Sequence, residues 1–190
     1  MAYKVLIAGG KESCGEVASL LGDSGYDEVR QAEGASAALE AARAYQPGVI
    51  IMDVELPDGD AVSLAGEILN ERPVPIIVFG SYSQIDKVKE AEASGVSSYI
   101  FRPLSRENLM GVIELGASRF RQCQALHSEL GSCKEALRVR KLVEKAKGIL
   151  MKRSALSEED AFLKIQKLSR NNNISMEKVA QSIITASELL

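Results

Sequence analysis

The 190-residue chain has no tryptophan, one histidine (His127) and three cysteines, Cys14, Cys123 and Cys133. An odd number of widely spaced cysteines is neither a disulfide framework nor a metal cluster. With one histidine beside them, they form no ligand set for structural or catalytic zinc. The thiols read as small, half-buried packing residues, the usual place of free cysteine. No apolar run approaches the ~18 residues of a membrane span. The start, Met1 through Ile7, enters an apolar stretch with no basic region, signal core or cleavage site, and a cytoplasmic location follows by default. There is also no nucleophile–base pair and no phosphate-binding loop, so the chain does not read as an enzyme.

Apolar residues are nonetheless 46% of the sequence and charged residues 26%, enough for a buried core and a soluble surface. The length suits one medium domain plus a compact appendage. The net charge of −3 hides an asymmetry. Residues 1–137 carry 12 Lys and Arg against 20 Asp and Glu, whereas residues 138–190 carry 11 against 6. An acidic front joined to a basic tail implies two parts with different partners, the tail being the candidate for a polyanion.

The first hundred residues alternate strand and helix signals. Apolar runs at Tyr3–Ala8, Val49–Met52, Pro75–Phe79 and Ser98–Phe101, with a poorer one at Glu28–Ala32, predict five strands. Between them Glu12–Leu21, Ala35–Tyr45, Ala61–Asn70 and Gln84–Ala93 have helical spacing, and Leu56 to Asp60 reads as a loop. Near-continuous apolar strands are buried on both faces, which implies a parallel sheet covered by helices. Function in such sheets collects at the carboxyl ends of the strands. Those ends carry Gly9-Gly10, Asp53, Gly80-Ser81 and Arg102.

From Ser105 to about Arg153 there is no proline. Leu109, Gly116, Cys123, Leu130 and Leu137 fall seven apart, with Val112, Leu126 and Cys133 between them, an imperfect heptad seam. It suits either a coiled-coil dimer through a helix over 105–137 or a helix packed on its own domain. The tail then predicts three helices. The first covers residues 138–152. The second opens at Ser157 and turns Ala161, Phe162, Ile165 and Leu168 inward. The third is capped by Ser175, with Val179, Ile183, Ile184 and Leu190 inward.

Val49–Asp53, the following Leu56-Pro57-Asp58-Gly59-Asp60 and Arg102-Pro103 after the fifth strand resemble a bacterial response-regulator receiver. The resemblance implies a flavodoxin-like (βα)5 doubly wound parallel sheet and a phosphoryl-transfer site, with a histidine kinase or other regulatory protein as partner. In that family an acidic pair after the first strand holds Mg²⁺, a carboxylate after the third accepts the phosphoryl group, and a Ser/Thr and a Lys sense it. Asp53 stands at the acceptor position. Gly9 and Gly10 stand where the pair belongs, Gly80 at the hydroxyl position with Ser81 one residue late, and Arg102 replaces the Lys. Glu12 lies close to the missing pair but reads as the start of the first helix. Mg²⁺ is usually held by one or two carboxylates, so Mg²⁺-dependent phosphorylation is expected to be poor or absent and no cofactor is assigned. Two readings compete: Asp53 is still phosphorylated, inefficiently, or the domain is a pseudo-receiver that serves as a protein-docking or dimerisation scaffold. The plain structural alternative for Asp53 is a pair with Arg102 across the sheet end.

The segment Arg140-Lys141-Leu142-Val143-Glu144-Lys145-Ala146-Lys147-Gly148-Ile149-Leu150-Met151, then Ser157-Glu158-Glu159-Asp160-Ala161-Phe162 and Val179-Ala180, resembles an ANTAR domain. That family is the RNA-binding output module of transcription antiterminators. The resemblance implies binding to hairpins in a nascent leader, with dimers formed through the coil. The domains then divide as a receiver at 1–120, a coiled-coil linker at 121–137 and an all-α three-helix output domain at 138–190. Candidate RNA contacts are Arg138, Arg140, Lys141, Lys145, Lys147, Gly148 and Lys152 on the first helix, and Lys164, Lys167 and Arg170 on the second. The tail's one aromatic, Phe162, reads as core, which would leave base stacking to Arg140 or Arg170. Asn171 to Asn173 suit either base contact or a helix stop. A DNA-binding regulator is the first rival, but the last helix has Lys178 as its one cation. A protein-binding adaptor with a pseudo-receiver is the second.

Overall fold

A computed structural model of the chain describes residues 4–22, 26, 28–93 and 95–188. It divides into two compact units, residues 1–124 and 125–190. In the first, strands β1 (Lys4–Gly9), β2 (Glu28–Glu33), β3 (Val49–Asp53), β6 (Ile76–Gly80) and β7 (Ser98–Phe101) form a parallel sheet in the order β2-β1-β3-β6-β7. Tyr3, expected to open the first strand, lies outside the described residues.

Every residue of β3 and β6 is buried, and so are Val5 to Gly9 of β1. Side chains alternate across a strand, so each contributes to both faces. Leu6, Ile50, Met52, Ile76 and Val78 pack on α2 (Ala35–Tyr45) and α3 (Ala61–Glu71). Val5, Ile7, Ile51, Ile77 and Phe79 pack on α1 (Lys11–Leu21) and on Leu109 and Ile113 of α5 (Arg106–Ser154). The loop expected at Leu56 to Asp60 holds a small antiparallel pair, β4 (Glu55–Leu56) and β5 (Gly59–Asp60). Its carboxylates cap two helices. Asp58 accepts from the backbone of Ala35 and Ser36 at the start of α2, and Asp60 accepts from Ser63 N–H at 2.8 Å. Gly34, with φ 91°, makes the left-handed step into α2 against Asp58. A 3₁₀ turn (Tyr82–Gln84) leads into α4 (Ile85–Ala93).

The linker and the first tail helix, expected as separate elements, are one helix. α5 runs unbroken through Gly111, Gly116, Gly131 and Gly148. Each glycine costs about 1 kcal/mol against alanine, which without a proline is too little to end a helix. Residues 121–138 are all exposed. That corrects the reading of the cysteines, since Cys14 is buried but Cys123 and Cys133 are exposed. No helix among the described residues is long and apolar enough to cross a membrane.

The second unit packs the end of α5 with α6 (Glu158–Asn172) and α7 (Met176–Glu188). Its buried core is Val143, Ala146, Ile165, Val179, Ala180 and Ile184. Ser157 accepts from Asp160 N–H at 3.1 Å and Ser175 from Lys178 N–H at 3.3 Å, so both expected caps form. Phe162 and Leu168 are a correction: Ala161 and Ile165 are buried, but Phe162 is 40% and Leu168 37% exposed. The seam of this small bundle is as narrow as the i, i+4 pair, and position 162 lies about 100° round the helix from 161. Leu190, expected inward, lies outside the described residues.

Candidate functional site

The carboxyl ends of β1, β3 and β7 and the first turns of α1 surround a hollow of about 520 Å³ lined by Gly10, Glu12, Ser13, Glu16, Asp53, Glu55 and Arg102. Asp53 ends β3 and is 4% exposed. Both of its oxygens are engaged. Oδ1 accepts the Glu55 N–H at 2.9 Å. Oδ2 accepts the Ser13 hydroxyl at 2.5 Å and Arg102 Nη2 at 3.3 Å. Arg102 follows β7, where its N–H donates to the Gly80 carbonyl at 2.8 Å. Its guanidinium also donates to Ser13 Oγ at 3.0 Å and, through Nε, to Glu16 Oε2 at 3.1 Å. Its Cζ lies over the Phe79 ring, 4.9 Å from the ring centre, a cation–π contact.

The other positions singled out in the sequence differ in what they offer. A Cβ on Gly9 would lie 3.2 Å from Asp53 Cβ, whereas one on Gly10 would meet nothing closer than Pro57 Cγ at 3.9 Å. A Cβ on Gly80 would lie 2.6 Å from Val54 Cγ1 and 2.9 Å from Gln84 Oε1, so a hydroxyl-bearing side chain does not fit there without a shift. Ser81 is turned to its own helical turn: its hydroxyl lies 2.9 Å from Gln84 Oε1 and 2.7 Å from Ser83 Oγ. Glu12 does reach the rim of the hollow, from the first turn of α1. Glu55 is held below the ordinary carboxylate range by hydrogen bonds from Gln84 and Lys87. Sequence reasoning missed Ser13 and Glu16. Their i, i+3 spacing on the helix that starts at the strand ends was the available signal.

In the second unit the candidate RNA contacts differ in burial and in the ion pairs they make. Lys147 is a correction. It is 7% exposed, and its ammonium lies 2.9 Å from Glu144 and 2.8 Å from Glu158, tying α5 to α6. Arg138 is gripped by both oxygens of Glu135 and by Glu177 of α7. The side chains of Arg140, Lys141, Lys145, Lys152, Lys164, Lys167 and Arg170 are exposed. Lys141, Lys145 and Lys152 recur at helical spacing along one face of α5. A Cβ on Gly148 would meet nothing within 4 Å. On the other side of α5, centred on Val143, Val139, Arg140, Val143, Phe162 and Met176 line a largely apolar groove of about 710 Å³, with Glu135 and Glu144 also in its wall. Asn172 donates to the Leu168 carbonyl and Asn173 takes the left-handed cap, so both finish α6.

The Lys147 bridge has a defined pH window. Hydrogen bonding to Glu158 and Glu144 raises the Lys147 pKa, and the bond from Lys147 lowers that of Glu158. The bridge therefore contributes fully from above about pH 4.3 to below about pH 10.4, the ordinary values of the two groups. It is lost as pH falls through the depressed Glu158 value or rises through the raised Lys147 value. Lys147→Met should lower the thermal midpoint of this unit near neutrality, and the gap to wild type should close in acid. A gap that persists unchanged well below pH 4 would remove the bridge from the stability of the unit.

Residues 11–114 match the response regulator receiver domain and residues 132–184 the ANTAR domain. The chain is 37% identical over 169 residues to the transcriptional regulatory protein PdtaR of Mycobacterium tuberculosis, covering 89% of this chain and 82% of that protein. Among solved structures it resembles the receiver domain of NtrX from Brucella abortus, with TM-score 0.56 and 24% identity over 60% of this chain and 98% of that one. Against a longer NtrX structure bound to ADP the TM-score is 0.62 at 24% identity, over 77% of this chain and 34% of that chain, so this chain spans about a third of it. The likeness to these structures bears on the fold.

Proposed function

Because the chain belongs to the response regulators that join a receiver domain to a C-terminal ANTAR domain, we propose that it regulates transcription by antitermination, its C-terminal unit binding hairpins in a nascent leader RNA. The observation that carries this is the exposed row of Lys141, Lys145 and Lys152 along one face of α5, together with the exposed Arg140 and Phe162 at the groove on its other side. Lysines along a rigid helix suit phosphates, and an exposed ring beside an arginine suits an unstacked loop base. Lys147 and Arg138 hold the bundle together and are set aside as contacts. The N-terminal unit serves a kinase or another regulatory partner.

The working form in this reading is a homodimer through the exposed stretch of α5. Leu126, Leu130 and Leu137 are 66%, 52% and 52% exposed and follow the heptad seam with Cys133 between them. Glu129 and Lys134 are five apart and flank that seam, the spacing at which a parallel pair forms ion pairs in both directions.

The test is a titration of the whole chain with tandem-hairpin leader RNA and with duplex DNA of equal charge, over a salt series. Tight RNA binding is expected, with affinity falling steeply as salt rises. Lys141→Ala with Lys145→Ala should weaken it and flatten the salt slope by roughly one for each phosphate that the variant no longer neutralises. A preference for the DNA favours the DNA-binding rival, and equal binding or binding to neither favours the protein adaptor or an output unit silent until the receiver has its signal. Sedimentation of the free chain should show twice its 20.5 kDa mass. A monomer at all concentrations ends the dimer reading.

A further inference from the structure

Receivers of this family ordinarily balance the acceptor carboxylate with Mg²⁺. The residues at this site do not fit that ion. Mg²⁺ demands near-ideal octahedral oxygen ligands. Gly9 and Gly10 offer no side chain, and a Cβ on Gly9 would already crowd Asp53. Both Asp53 oxygens are engaged, Glu16 holds Arg102, and Glu55 pairs with Lys87 at 3.2 Å. Among the described residues no three acidic, histidine or cysteine side chains converge as a metal site.

We infer that Arg102 is the built-in cation of this receiver: its guanidinium takes the electrostatic place of the metal at Asp53, Glu16 positions it, and the site accepts neither a divalent ion nor a phosphoryl group. A carboxylate as buried as Asp53 requires a compensating charge. The planar fork supplies it from a fixed direction, which a lysine ammonium on a flexible stem does not. Three contacts set that direction: Glu16 at the Nε edge, Ser13 between Nη2 and Asp53, and the Phe79 ring against Cζ. Arg102 faces two carboxylates at once, and Glu12 and Glu55 also line the hollow. Its charge is thus already matched, and an anionic phosphodonor meets an acidic mouth with no metal to offset it. The receiver rests in one charge-balanced state, and its input comes by contact with a partner. This inference is independent of what the C-terminal unit binds.

Mn²⁺ titration of the whole chain, read by paramagnetic broadening of the backbone signals of residues 9–13 and 53–55, tests it. Wild type should show no broadening at these positions, and broadening there overturns the inference whatever the variants do. Gly10→Asp adds a carboxylate where a Cβ has room, yet should bind Mn²⁺ poorly while Arg102 remains. Gly10→Asp with Arg102→Ala should bind at least about tenfold tighter, because a like charge a few ångströms from the ion repels it by roughly that factor or more. Equal affinity of the single and double variants overturns the role of Arg102. Should the double variant not fold, Gly10→Asp with Arg102→Gln replaces it, and a gain over Gly10→Asp is again required. For Glu16 itself the readout is the Arg102 Nε–H signal. Its exchange with water should accelerate in Glu16→Gln, and unchanged exchange removes Glu16 as a positioning residue.

Discussion

Ile165→Ala should unfold the C-terminal unit and leave the N-terminal unit folded. Ile165 is fully buried and is the largest such side chain in a core of six residues, two of which are alanines. Removing it costs the transfer energy of the deleted methyl groups plus that of the cavity, about 2–5 kcal/mol in total. A unit spanning residues 125–190 has a total stability of roughly 3–10 kcal/mol at the usual ~0.05–0.15 kcal/mol per residue. The change removes a large share of it. The N-terminal unit has its own two clusters, one on each face of the sheet, and among the described residues none of their members belongs to the bundle's cluster. Calorimetry should show two transitions in wild type and a large downward shift of one in the variant. A variant with both transitions in place would mean that the bundle does not depend on this core.

Phe162→Ala should weaken RNA binding about 5- to 150-fold, the ~1–3 kcal/mol that a stacked base is worth, and leave the fold intact. The ring is 40% exposed on the rim of a groove shared with Arg140 and Met176, and alanine is the best helix former for the vacated position. Stacking is not ionic, so the salt dependence should stay that of wild type. Lys141→Ala should do the reverse, with a modest loss of affinity and a shallower salt slope. The two variants measured in one salt series therefore separate base stacking from phosphate binding. Unchanged affinity in Phe162→Ala would assign the ring to another role.

Much of the sheet is legible in the sequence. Val49–Asp53 is a run of apolar residues ended by an acid, and it forms the central strand with the acid at its carboxyl end. Helix Ala35–Tyr45 and strand Ser98–Phe101 lie where periodicity and their Gly and Pro boundaries put them. The poorer pattern at Glu28–Ala32 also fits its position, since β2 pairs with β1 at the sheet edge and is exposed at all but Ala32. Burial on two faces writes a continuous apolar run, and half-burial writes a period, so these elements follow from the sequence by itself.

What the sequence could not decide is which polar groups meet. Ser13 and Asp53 are 40 residues apart, and Arg102 and Glu16 are 86 apart. Lys147 and Arg138 look like their neighbours Lys141 and Arg140 until α6 and α7 bring Glu158 and Glu177 against them. Phe162 is apolar and reads as inward, but the bundle is too narrow to cover it. Periodicity is a property of one element along its own axis. Whether a cation is open to RNA or closed in an ion pair depends on the facing element, and that is set by the packing of distant segments.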